Sequence, residues 1–172
     1  GQLVNGIVQR FEKRNIIVNL GRTDAILPEK EQVPRERYRQ GDRIRAYIVS
    51  VEITSRGPQI ILSRAHRNFL RRLLENEVPE IYHGIVEIRS ISREPGQRAK
   101  VAVSATQPGI DPVGACVGIR GVRIQSIVKE LHDEKIDIIE HTDDPEAMIA
   151  RALSPAPVTS VSVAPSAMRA VR

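Results

Sequence analysis

The sequence predicts a multidomain chain: an all-β barrel, a small α+β unit behind it, and the opening of a third unit that breaks off. Three observations carry this. Residues 1–64 hold five short apolar runs with a two-residue period, separated by turn residues. At Ala65 the period lengthens to three and four, the signature of an amphipathic helix. From Gly84 onward, strand-like and helix-like stretches follow one another in a length suited to one small sheet.

The barrel is read element by element. Leu3 to Phe11 alternates like a strand and opens without an initiator Met, which predicts a piece cut from a longer protein. Ile16 to Leu20 ends at Gly21, and Ala25 to Leu27 is stopped by Pro28. In Asp42 to Ile53, Ile44, Ala46 and Ile48 share one face while Arg43, Arg45 and Tyr47 share the other, as in a half-buried strand. Ser55-Arg56-Gly57-Pro58 turns the chain into Gln59 to Ser63. Between strands only Arg35 to Arg39 hints at a helical period. Closure removes exposed edges, so a five-stranded OB barrel is the economical arrangement.

In the second unit, Phe69, Leu70, Leu73 and Leu74 lie among Arg67, Arg71 and Arg72, predicting a helix from Ala65 to Pro79. Gly84 to Ser92 and Gln97 to Thr106 should pair as a hairpin about Glu94-Pro95-Gly96. Asp111-Pro112 caps a short helix through Val117, a longer one runs from Val122 to His132, and Lys135 to Glu140 is a last strand. Both later helices can cover one sheet face. A third unit opens with a capped helix, Glu146 to Leu153, and a strand-like Val158 to Val163.

Composition narrows the function. Lys and Arg number 26 against 21 Asp and Glu, a formal net charge of +5 that favours a polyanionic partner. With no Trp, two Phe and three Tyr, nucleic-acid contact must rest on phosphates, apolar grooves and Arg planes more than on base stacking. The one cysteine, Cys116, excludes an intrachain disulfide and reads as a small packing residue, and the four His show no metal-ligand spacing. No apolar run reaches the length of a membrane span and no signal peptide is present, so a soluble, cytoplasmic protein without metal or cofactor is expected.

The most informative stretch is Gly118-Ile119-Arg120-Gly121, between the two later helices. Glycine supplies positive φ and close backbone approach, and the first N–H groups of the following helix lack intrahelical partners, so the junction suits a phosphate. By itself, such a tetrapeptide is also an ordinary helix–turn–helix corner. Its setting resembles a KH domain of the bacterial type II topology, whose GxxG loop clamps a single-stranded nucleic-acid backbone. With the barrel in front, and with the run Asp111 to Gly121 followed by Lys135-Ile136-Asp137-Ile138, the chain resembles the NusA family of transcription termination and antitermination factors. That resemblance implies an S1-like barrel over 1–64, a first KH domain over 65–142, and an incomplete second KH domain over 143–172. It also implies a non-catalytic segment that binds single-stranded RNA and acts with RNA polymerase and antitermination factors, as a monomer.

Candidate contacts follow. Gly118, Ile119, Arg120 and Gly121 form the loop; Val113, Val117 and Ile124 would floor the groove beside it; Arg120, Arg123 and Lys129 would meet phosphates. Three such contacts predict a log–log salt slope near about −2. The barrel departs from the general S1 pattern, since Arg14-Asn15-Ile16-Ile17 stands where Phe-Gly-x-Phe stacks bases. Phe11 falls on a core position, leaving Arg14, Arg43, Arg45 and Tyr47 as barrel candidates beside the alternative of a solvated strand face.

Two other classes stand against this. RNA-processing exonucleases carry similar modules, but in the opposite order; Asp133, Glu134 and Asp137 would point apart and form a solvated charged rim instead of a Mg²⁺ site. A protein-interaction module docking acidic partners remains open. The glycine series lacks both the G-x-G of dinucleotide loops and the Lys-Ser/Thr of phosphate loops. Finally, the short link from Ser63 to His66 predicts a stiff junction and a continuous basic path over both domains.

Overall fold

The computed structural model describes residues 1–164. Strands β1 (Leu3–Glu12), β2 (Asn15–Asn19), β3 (Asp24–Leu27), β4 (Arg43–Thr54) and β5 (Gly57–Ser63) close a barrel in the order β1-β2-β3-β5-β4. The pairing is antiparallel except between β3 and β5, where Ala25 faces Ile60. Val8, Ile16, Val18, Leu27, Ile44, Ala46 and Leu62 fill the interior, so the two-residue period delivers the barrel as expected. Arg35 to Arg39 forms no helix; that loop is drawn instead toward the second domain.

Helix α1 (Arg67–Glu77) starts two residues later than the periodicity predicts, because His66 is its N-cap and its ring accepts from the Asn68 amide. Pro79 starts a separate short helix, α2 (Pro79–Tyr82). Next come β6 (Val86–Glu94), β7 (Arg98–Ala105), α3 (Pro112–Val117), α4 (Val122–Glu130) and β8 (Lys135–Glu140). The sheet order is β6-β7-β8, with the hairpin antiparallel and β7-β8 parallel. Phe69, Leu70, Leu73 and Leu74 of α1 pack with Val101, Val103, Cys116 and Ile127 into one core. Helix α4 stops short of His132 because His132 and Asp133 turn to positive φ (53° and 69°).

Helix α5 (Pro145–Ala152), capped by Asp144, lies beyond β8, where Arg151 donates to the Glu140 carbonyl. Val158 to Val163 does not form a strand, since an alternating segment without a neighbouring strand has no ladder to join. The rest of the expected third unit, residues 165–172, lies outside the described residues.

The two domains share a packed junction. Tyr47 and Leu3 of the barrel belong to the core built around α1, and Tyr47 stacks on His66 with ring centroids 5.4 Å apart. Tyr47, expected on the outer face of β4, is therefore only 8% exposed, because the second domain covers that face. Phe11 departs the other way. It is 47% exposed, lying near the end of β1 where the barrel interior no longer encloses it.

At the centre of the junction, Arg64 is 1% exposed and donates through Nε and Nη2 to Glu36, through Nη1 to the Arg45 carbonyl and Glu130, and through Nη2 to the Glu130 carbonyl. Arg93 and the fully buried Glu134 form a second pair at 2.9 Å, and Glu134 also accepts from Gly96 N–H. Val33 abuts the Gly96 turn, where an added Cβ would approach it to 2.8 Å. Glu36 sits in the junction with 3% of its side chain exposed, so Arg64→Ala leaves a buried carboxylate without its main partner. We expect about 3–5 kcal/mol of lost stability in urea unfolding. A loss below about 1 kcal/mol would show that the pair does not hold the junction.

Candidate nucleic-acid interface

The loop between α3 and α4 is built from local rules. Asp111 accepts from Gly114 N–H at 3.1 Å and Pro112 occupies the first turn, so α3 starts where the sequence predicts. A Cβ on Gly114 would strike the capping carboxylate. The helix ends at Gly118, whose φ of 79° and ψ of 172° fall in a region essentially restricted to glycine. Arg120 (φ 56°, ψ 23°) and Gly121 (φ 76°, ψ 15°) are left-handed, and a single 3₁₀ turn delivers the chain into α4.

This backbone pushes side chains outward. Ile119 is 85% exposed and Val122 66% exposed, an unusual cost for apolar residues flanking a tight turn. Arg120 is exposed and makes no side-chain hydrogen bond among the described residues. Arg123, expected to meet phosphate, is engaged instead: its Nη1 donates to Glu80 and to the Ala115 carbonyl, each at 2.7 Å. Its stem also fills the space beside Gly118, where a Cβ would come within 2.8 Å of Arg123 Cγ. Lys129 is exposed but two turns along α4, so the structure does not bring it to the loop.

The expected groove floor is divided. Ile124 is buried, Val117 is half-buried, and Val113 packs into the domain core. A concavity of about 470 Å³ opens beside the loop, and its walls are Glu80, Gly114, Ala115, Gly118, Ile119, Val122 and Arg123. Glu80 and the exposed Tyr82 of α2 are residues the sequence reading passed over; the Pro79 helix start was the available signal.

The barrel candidates are scattered. Arg14 pairs with Glu29 at 3.1 Å on the surface, and Tyr47 is in the junction core. Arg43 and Arg45 line a separate groove between the domains. The junction itself is mixed in sign, with Glu36 and Glu130 lying against Arg64. The acidic trio also differs from the expected solvated rim. Glu134 is buried against Arg93, Asp137 pairs with Lys100 at 3.0 Å, and only Asp133 faces solvent. Among the described residues no cluster suited to a metal ion occurs.

Cys116 is buried beneath the loop, and burial, with a smaller contribution from Glu80, pushes its thiol up to about 12. The folded state thus holds this proton above the ordinary value of about 8.5, so stability falls as pH rises from there toward the folded value.

A closed five-stranded barrel welded to a helix-flanked sheet with a GxxG turn defines a tandem of an S1-type and a KH-type domain. Residues 1–64 match the family model described as S1 RNA binding domain, and residues 64–141 match the NusA-like first KH domain. Three relatives each bear the name transcription termination/antitermination protein NusA. That of Halalkalibacterium halodurans is 54% identical over 161 residues, 94% of this chain and 42% of the relative. The Thermus thermophilus protein is 49% identical over 171 residues, covering 99% and 44%, and the Mycobacterium bovis protein 44% identical over 180 residues, covering 100% and 52%. The chain belongs to the NusA family and spans about half the length of these relatives.

The two loop glycines should differ under substitution. Gly118→Asn combines a glycine-only conformation with a clash, and we expect a loss of about 2–3 kcal/mol in chemical unfolding. Gly121→Asn, left-handed with no neighbour closer than 3.9 Å, should cost about 1 kcal/mol or less. Equal losses would contradict the geometry. For Cys116, iodoacetamide labelling at pH 8 should run at least about 100-fold slower in the folded chain than in denaturant.

Proposed function

We propose that this chain is the single-stranded RNA-binding segment of a transcription termination and antitermination factor, acting on nascent RNA at RNA polymerase. The observation that carries the reading is the loop itself: two positive-φ glycines hold an exposed Ile119, and an exposed Arg120 with no side-chain partner among the described residues, at the start of α4. A strand of RNA would lay its phosphates along the loop backbone and Arg120, and unstacked bases against Ile119 and Val122. The relatives' shared name supports the transcriptional role, and the S1 and KH matches support RNA as the ligand.

In this reading residues 1–64 and 65–142 are the two complete domains and 143–172 begin a second KH domain. The segment is non-catalytic and monomeric, works in the cytoplasm without cofactor, and meets polymerase and antitermination proteins as partners. No described helix is long and apolar enough to cross a membrane. Because Glu80 occupies Arg123, two side-chain cations remain for phosphate, Arg120 near the loop and Lys129 further along.

Fluorescence anisotropy with a short single-stranded RNA tests this. Two neutralised phosphates give a log–log salt slope of about −1.4. The double change Ile119→Asp with Arg120→Asp should abolish most binding. No binding at low salt would overturn the RNA reading, and binding unaffected by the double change would overturn the loop's part in it. Capture of an acidic peptide without RNA binding would leave a protein-docking module.

A further inference from the structure

Glu80 is the residue beside the loop that RNA binding, as described above, leaves without a task. It stands in the short helix α2, 43 residues before Arg123, and its carboxylate accepts from that guanidinium at 2.7 Å. We infer that Glu80 is a positioning residue for RNA: it withholds Arg123 from the phosphates of the strand and so sets the affinity and the salt dependence of the GxxG loop. The inference rests on the RNA-binding reading above.

Three observations carry it. The pair borders the surface on which the strand would lie. Among the described residues that wall the concavity beside the loop, Glu80 is the acidic one and Arg123 the basic one, next to the exposed Ile119 and Val122. A phosphate arriving there meets a guanidinium whose charge is already balanced by a carboxylate. The guanidinium also keeps donors in reserve. Only Nη1 is engaged, by Glu80 and by the Ala115 carbonyl, and neither Nε nor Nη2 has a partner among the described residues. Finally, the fold has other ties at this point. The two side chains are 30% and 31% exposed, and an ion pair so open to water adds little to stability. Without the carboxylate, the Arg123 stem still packs beside Gly118 and Nη1 still reaches Ala115, while the Glu80 carbonyl accepts from Ile85 N–H at 2.8 Å whatever side chain stands there.

The consequence is a loop that holds its strand with one cation fewer than its sequence provides. Within one interface, lost affinity falls mainly on the dissociation rate, so the strand leaves sooner. Fast release suits nascent RNA, which moves past the loop as it lengthens.

Anisotropy titrations of the chain with a short single-stranded RNA, repeated over a salt series, test this. Wild type engages Arg120 and Lys129, with a log–log slope of about −1.4, whereas Glu80→Gln should engage a third cation, steepening the slope to about −2.1 and tightening binding at least about threefold at low salt. Arg123→Gln alone should keep the wild-type slope, and Glu80→Gln combined with Arg123→Gln should return to it. Glu77→Gln removes a nearby charge, whose carboxylate accepts from Ser126 at 3.4 Å, without freeing Arg123, and should also keep the wild-type slope. Glu80→Ala should repeat the result of Glu80→Gln, so a folding defect in one variant does not decide the outcome. An unchanged slope in both Glu80 variants, with wild type binding RNA, overturns this inference alone. So does a steepening that survives the loss of Arg123 or appears equally in Glu77→Gln, because removal of any carboxylate would then explain it. A slope shallower in Arg123→Gln than in wild type overturns it too, since Arg123 would already meet phosphate. Absence of RNA binding in every form overturns the RNA reading and this inference with it.

Discussion

Arg64 is the interaction on which the geometry depends. All five of its N–H groups find acceptors, on Glu36, on Glu130 and on two backbone carbonyls, and its guanidinium sits 5.0 Å from the Phe69 ring and 5.7 Å from that of Tyr38. Burial works against its charge, yet the hydrogen bonds and attraction of Glu36 outweigh burial and raise it above the ordinary guanidinium value. The same surroundings raise Tyr38, whose phenol is buried beside Glu36. A buried ion pair of this kind contributes little net stability compared with apolar packing, but breaking it is costly. Its effect is orientation: three chain segments, the 33–38 loop, the end of β5 and the end of α4, meet at one side chain.

From that point the functional geometry follows. Helix α4 is fixed at its C-terminal end by Arg64, and it presents the GxxG loop at its N-terminal end. The loop's Ile119 and Val122 are exposed beside Gly118, which takes a backbone conformation that other residues avoid. Arg123 then acts as part of the scaffold, bridging α4 to Glu80 and to α3, which leaves Arg120 as the cation at the turn without a side-chain partner among the described residues.

Much of the fold was legible because local rules and tertiary structure agree. The period-two runs became barrel strands, the Asp111 cap began α3, and Lys135–Glu140 is the last sheet strand as read. What failed did so where a second domain intervened. Tyr47 alternates correctly as an outward residue, but its outward face meets α1 rather than water. Arg123 and Glu80 are 43 residues apart, and nothing in either neighbourhood announces their pairing. Phe11 shows the reverse: periodicity gives the side of a strand, not whether the barrel extends far enough to cover it. The packing of the junction was readable from the short link, whereas Arg64 at its centre was not.

If the junction is welded as described, barrel and KH domain move as one body. Backbone ¹⁵N relaxation over residues 3–63 and 67–140 measures this directly. A single rotational correlation time for both ranges is the expected result, and two distinct correlation times would contradict the account.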